Sequence, residues 1–140
     1  MIPIGTTFTF NQDNKIYLCG RFSKRFEFRL VREVLKERGY EVTSSWIDQP
    51  DSTDPGSFAT FQAVARRDLD DLDKCDIVLV DPEPSTKGSM FFEMGYGFAN
   101  KKRIVIVGES PMLFSSLAHK HYPLGWTYLL FAHLKNGGRI

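Results

Sequence analysis

The runs Ile77–Val80 (IVLV) and Ile104–Val107 (IVIV) are apolar at every position rather than at every second one. A strand of that kind needs cover on both faces, which a half-wetted antiparallel sheet does not provide. Three further runs, Ile16–Cys19, Tyr40–Trp46 and a weaker one near Trp126–Leu130, bring the candidate strands to five. Helical patterns alternate with them. Phe22–Arg38 spaces Phe26, Leu30, Val34 and Leu35 ahead of Gly39 as a stop, and Phe58–Asp73 spaces Phe61, Val64, Ala65, Leu69 and Leu72. Alternation of this kind predicts a parallel sheet layered between helices.

The expected architecture is therefore α/β, a single-domain flavodoxin-like or Rossmann-like three-layer fold with a mostly parallel five-stranded sheet. A chain of 140 residues buries roughly two thirds of its unfolded surface, enough for one core without disulfides or structural metals, so residues 1–140 are read as one domain. The segment Asp48–Ser57, DQPDSTDPGS, is the one clear loop and is too short to link two domains. Residues 1–15 hold an apolar alternation, TTFTF, ahead of the turn-forming NQDN, an extra edge strand or arm.

Charge and cysteine usage narrow the partners. Lys and Arg total 18 against 17 Asp and Glu, with no basic excess of the kind that tracks a phosphate backbone, so a small molecule is expected rather than nucleic acid. Cys19 and Cys75 lie in apparent strand contexts without a C-x-x-C pair, which reads as buried reduced thiols. No segment approaches the roughly twenty apolar residues of a membrane helix, and the amino terminus lacks a charged start followed by a long apolar stretch. A cytoplasmic protein with no membrane contact is expected.

In open α/β sheets the ligand crevice lies outside the carboxyl ends of the strands, which directs attention to the loops after Cys19, Trp46, Val80 and Val107. The first carries Gly20, Arg21, Ser23, Lys24 and Arg25 into a helix, and the third, DPEPSTKGS, leads into a second helix. Helix starts with nearby cations favour anionic groups, although solvated surface charge is the commoner origin of such a loop. Neither G-x-G-x-x-G nor a Walker-type loop occurs, so no dinucleotide or nucleoside triphosphate fingerprint is present. His119 and His121 have no third ligand nearby in sequence, and no metal or other cofactor is assigned.

One carboxylate stands out. Glu93 lies within KGSMFFEMGYGFANKK, in a helix expected from about Met90 to Asn100, in its first turn and flanked by Phe91, Phe92 and Met94. Carboxylates are rarely buried without a partner, so Glu93 sits either on a narrow wet stripe or in a site. Asp68, in RRDLDDLDKCD, is separable from its neighbours Asp70, Asp71 and Asp73, which read as an ordinary wet helix face. Two helical turns cover roughly 12 Å and a five-residue strand roughly 16 Å, so Asp68 can stand level with the upper half of the sheet. Pairing with Arg66 or Arg67 is the alternative. Tyr17, inside the first strand, either packs in the core or aims its hydroxyl at the crevice.

Taken together, these residues resemble the nucleoside 2-deoxyribosyltransferase family and its relatives, the 2'-deoxynucleoside 5'-monophosphate N-hydrolases. KIYLCG resembles the family's first strand with its site tyrosine, and RGYEVTSSWID the second strand as found in a short bacterial and phage branch. DLDDLDKCDIVLV resembles the segment with an aspartate eight residues ahead of the strand-leading aspartate. GSMFFEMGYGFANKKRIVIVG resembles the segment that holds the nucleophilic glutamate. The resemblance implies N-glycosidic bond cleavage or base exchange on a 2'-deoxynucleoside or its 5'-monophosphate. Glu93 would be the nucleophile, Tyr17 its orienting hydroxyl and Asp68 the group beside the leaving base. Gly97, one turn on, would leave room for substrate.

It further implies substrate contacts from Gly20, Arg21, Ser23, Arg25 and Trp46, and from Gly88 and Ser89. Six residues ahead of the nucleophile the transferases tend to carry an aspartate and the monophosphate hydrolases a serine, whereas this chain has Lys87. A cation there suits a 5'-phosphate. In these families a neighbouring subunit often completes the pocket, and Ser115 or Ser116 lies in the corresponding region, so a homodimer or higher homo-oligomer is implied. A nucleotide-binding α/β module without turnover is the competing reading, and the departure at Lys87 lends it weight.

Overall fold

The two fully apolar runs lie side by side at the centre of the sheet. In a computed structural model, which describes residues 14–49, 58–82, 89–110 and 116–140, five strands form one sheet. They are β1 (Lys15–Cys19), β2 (Glu41–Val42), β3 (Ile77–Val80), β4 (Arg103–Val107) and β5 (Lys120–Tyr122). The order is β2-β1-β3-β4-β5 and every pairing is parallel, so the sheet is wholly rather than mostly parallel. This is the flavodoxin-like winding, in which the chain reverses direction across the sheet between β1 and β3.

The helices are α1 (Arg25–Glu37), α2 (Phe58–Lys74), α3 (Ser89–Ala99) and α4 (Gly125–Tyr128), the last running on as a π-helical turn, Leu129–His133. Helix α1 packs with that π-helical turn, and α2 packs with α3, which makes the two layers that cover the sheet. No helix among the described residues is long and apolar enough to cross a membrane.

Four sequence expectations need correction. The second strand was expected over Tyr40–Trp46, but β2 ends at Val42 and Trp46 lies in a 3-10 turn, Ser45–Asp48. Side chains take over where the strand stops. Thr43 N still donates to Ile16 O at 2.8 Å, but Leu18 N donates to Ser44 Oγ at 3.0 Å and Leu18 O accepts from Trp46 Nε1 at 2.8 Å. The edge of β1 is thus satisfied without further strand.

The fifth strand is Lys120–Tyr122, whereas Trp126–Leu130 is helical. Gly125, at φ +88, breaks the extended path, and Leu129, Leu130 and Leu134 then bury at helical spacing. As an edge strand β5 buries one residue, Tyr122, which erases the apolar signature. His121 in β5 and His119 just ahead of it are spent on the sheet: Ile104 N donates to His119 Nδ1, and His121 Nε2 bonds the Gly108 carbonyl.

The apolar stripe of α1 is shifted. Phe28, Val31 and Leu35 are buried, while Phe26 and Leu30 are 55% and 70% exposed. Phe26 lies under the guanidinium groups of Arg25 and Arg29 at 4.9 and 4.7 Å, a surface cation–π ladder. Phe28 instead meets Trp46 and Trp126 edge-on, with centroids 5.4 and 5.9 Å apart. On α2 the same holds for Phe61, which is exposed, while Leu72 is buried. The proposed arm falls in residues 1–13, and most of the predicted loop in 50–57, both outside the described residues.

Gly97 corrects the fourth expectation. A Cβ there would stand 2.7 Å from Val78 Cγ2 and 3.3 Å from Ile104 Cδ1, so the glycine seats α3 on β3 and β4 instead of clearing room for a ligand. Gly97→Ala should accordingly destabilise the fold by about 1–3 kcal/mol, the usual cost of overpacking a filled core. Chemical denaturation would read this as a lower midpoint at unchanged slope.

Candidate active site

The alternation of a strand sends Tyr17 and Cys19 to the same face of the sheet, and that face is roofed by α3. Both reach Glu93. The Tyr17 hydroxyl donates a short hydrogen bond to Glu93 Oε2, and Cys19 Sγ lies 3.7 Å from Oε1 and 3.6 Å from the Met90 carbonyl oxygen. The helix begins at Ser89 among the described residues, so Glu93 is in the second turn and not the first. Help from the helix N-terminus is correspondingly reduced.

Burial dominates the electrostatics. It pushes the Glu93 carboxyl up from its ordinary 4.5 to about 7; the Tyr17 hydrogen bond pulls the other way, and the nearby Asp68 adds to the rise. Tyr17 is raised far out of its titration range, by burial first and by Glu93 second, so it remains a neutral donor. The Cys19 thiol is likewise pushed well up by burial and the Glu93 charge.

Glu93 opens on a cleft of ≈ 180 Å³ whose walls include Gly20, Arg21, Trp46, Asp68 and Ser89. A contiguous hollow of ≈ 190 Å³ shares Asp68, Ser89 and Glu93. Asp68 thus stands at the crevice and is ion-paired as well: Arg67 reaches its Oδ1 at 3.2 Å and donates to Gln49 Oε1 at 2.7 Å. Burial raises the Asp68 carboxyl and Arg67 opposes the rise.

Gln49, Phe22 and Met90 also line the cleft and were not singled out from sequence. The rule that found the other loops reaches Gln49 too, because it lies on the carboxyl side of β2. Asp71 was read as a wet helix residue, yet it is 6% exposed. Its Oδ2 accepts from Ser45 N at 3.0 Å and from Ser45 Oγ at 2.6 Å, which ties the turn that bears Trp46 to the helix that bears Asp68.

Several expected contacts fall elsewhere. Arg25 is 4% exposed and donates from Nε to Gln49 O at 3.0 Å and from a terminal nitrogen to Phe22 O at 3.2 Å. It fastens the cleft wall from behind. Ser23 is exposed on the 3-10 turn Phe22–Lys24, Ser116 is exposed after β4, and neither lines the cleft of its own chain. Lys87, Gly88 and Ser115 lie outside the described residues. Lys24, at 3.5 Å, and Trp126 Nε1, at 3.1 Å, both reach Asp81 Oδ2 at the end of β3. No group of three or more His, Cys, Asp or Glu side chains among the described residues is arranged to hold a metal ion.

A doubly wound parallel domain with a part-buried, tyrosine-bound carboxylate at the β1/β3 reversal has its cleft where this fold places small-molecule ligands. Residues 16–129 match the family model described as nucleoside 2-deoxyribosyltransferase, and the chain belongs to that family. In fold it is similar to the 2-deoxyribosyltransferase of Bacillus psychrosaccharolyticus, at 22% identity and a TM-score of 0.65 over 77% of this chain and 85% of that one. It is also similar to a Clostridium botulinum CMP N-glycosidase, at 21% identity and a TM-score of 0.51 over 77% of this chain and 86% of that one. No curated protein sequence matches the chain.

A folded-state value of about 7 against 4.5 has a sign for stability. Between those values the native state holds a proton that the unfolded chain has lost, so stability falls as pH rises through the window. Glu93→Gln should remove this slope: the variant gains on the native protein from about pH 4.5 to about pH 7 and then holds a lead of roughly 2–4 kcal/mol. Urea denaturation across that range measures the difference.

Proposed function

We propose that the chain cleaves the N-glycosidic bond of a 2'-deoxynucleoside or its 5'-monophosphate, with Glu93 as nucleophile, and passes the sugar to water or to a second base. The observation that carries this reading is a part-buried carboxylate, Glu93, held by Tyr17 and opening on a cleft it shares with Asp68. In the first step a Glu93 oxygen bonds to the anomeric carbon as the bond to the base breaks, and the base departs with the electron pair. Asp68, on the wall of the same cleft, hydrogen-bonds the leaving base or passes it a proton drawn from water. In the second step water or an acceptor base attacks the same carbon and releases Glu93. Tyr17 stays protonated throughout and steadies the carboxylate as its charge is spent and restored.

Family membership and the similarity in fold to the two enzymes above support the chemistry and leave the substrate open, ribonucleoside monophosphates included. Arg21 on the cleft wall, together with Lys87 in the sequence, favours a 5'-phosphate. A homo-oligomer fits the run of exposed apolar side chains on and beside α3, Phe91, Phe92, Phe98 and Leu117. A reducing, cytoplasmic setting fits the two buried free thiols.

Incubation with nucleosides and their monophosphates, with and without a free acceptor base, should release or exchange base as followed by chromatography. Complete inertness toward all of them sinks the enzyme reading. Glu93→Ala should lower kcat on the order of 10³-fold or more while the protein stays folded. Because attack needs the ionised carboxylate, kcat/KM should rise with pH and level off near the Glu93 value of about 7. For the phosphate, Lys87→Ala should weaken monophosphates far more than nucleosides, and an equal effect on both counts against it.

A further inference from the structure

The proposed mechanism leaves one buried group at the reacting carboxylate unused. Cys19 is 0% exposed, so its sulfur is closed to solvent and cannot act as a nucleophile toward a ligand in the cleft. It nonetheless lies almost equidistant from two acceptors, Glu93 Oε1 at 3.7 Å and the Met90 carbonyl oxygen at 3.6 Å. A thiol has one proton and can serve one acceptor at a time. The other thiol, on Cys75, donates to Leu72 O at 3.0 Å, far along the sequence from this fork.

We propose that Cys19 is a positioning residue for Glu93: its thiol donates to Oε1 while the carboxylate is charged and turns to the Met90 carbonyl when that charge is lost. The proposal rests on the reading of Glu93 as nucleophile. Tyr17 holds Oε2 and Cys19 holds Oε1, so two residues of one strand face fix the rotation of the carboxylate group. A charged acceptor draws a donor more strongly than a neutral one. On protonation, or on ester formation with the sugar, Oε1 becomes a poor acceptor, and the carbonyl one helical turn back takes the proton without stranding a buried donor. A thiol suits this task because it is a weak donor, so the turn between acceptors costs little and Oε1 keeps its nucleophilic character. Burial and the neighbouring carboxylates keep Cys19 protonated, as the fork requires.

The S–H stretching band, in an otherwise transparent infrared window, tests this on the native protein without turnover. As pH rises from about 5 to about 9, one of the two thiol bands should move to lower frequency with a midpoint at the Glu93 titration. That band should disappear in Cys19→Ala and stay at its low-pH position in Glu93→Gln, while the Cys75 band does not move. A Cys19 band that is the same in the native protein at high pH and in Glu93→Gln overturns the proposal. In turnover, Cys19→Ala should lower kcat about three- to tenfold at nearly constant KM and raise the acid limb of the pH profile. Cys19→Ser, a stronger donor, should lower that limb. Two variants with native kcat and an unmoved limb would likewise overturn it. A band that moves in a protein without base-releasing activity separates the two ideas: the fork stands and the proposed reaction falls.

Discussion

The pleat of β1 is the constraint on which the rest depends. The strand lies inside a parallel sheet with a helical layer on each side, so each of its side chains must be committed to one layer or the other. Its alternation gives Tyr17 and Cys19 to the layer of α2 and α3, and those two polar tips make a place for a carboxylate from α3. Shifting the register of β1 by one residue would hand that carboxylate two apolar neighbours. The ladder continues past the strand ends: Asp76 N bonds Lys15 O and Asp81 N bonds Cys19 O, each at 2.8 Å, which locks β1 to β3 where the chain reverses direction.

Around that fixed pair the cleft is assembled from separate pieces, each tied to the next by a hydrogen bond. Asp71 ties the Ser45–Asp48 turn to α2, and Arg25 ties Gln49 to the turn at Phe22. Arg67 ties Gln49 to Asp68. Glu93 itself is held against the preference of its charge for water. Packing keeps α3 on the sheet through Gly97, and the desolvation of Glu93 is offset only in part by its two donors. A site that stores an unfavourable charge in this way concedes stability for reactivity.

The sheet was legible because its central strands announce themselves: Ile77–Val80 and Ile104–Val107 are apolar throughout, and no other element type explains runs so short and so bounded. The edges were not. A two-residue β2 whose partner groups are met by Ser44 and Trp46, and a β5 with one buried residue, lack any periodic signal. The stripe of α1 was misphased because Phe26 and Leu30 look like core, whereas Arg25 and Arg29 cover Phe26 at the surface and Phe28 carries the packing. At the site, Glu93 stood out as a lone carboxylate among apolar residues, whereas Tyr17 and Asp68 had ordinary core and ion-pair readings and were singled out by the resemblance. Gln49 and Asp71 were not, since their roles arise from turns and long-range hydrogen bonds that no local spacing encodes.

The order of the strands also sets a timetable. Lys15 and Asp76, which join β1 to the strand at its inner side, are 61 residues apart in sequence. As the chain emerges in synthesis, the strand that bears Tyr17 and Cys19 is made before its central neighbour, which arrives only after α1, β2 and α2. Until then the inner ladder of β1 is open to any other extended chain. The nascent protein is therefore most exposed to mispairing through the same strand that later seats the carboxylate, and early collapse of Phe28, Val31 and Leu35 onto it is the safeguard the chain has at hand.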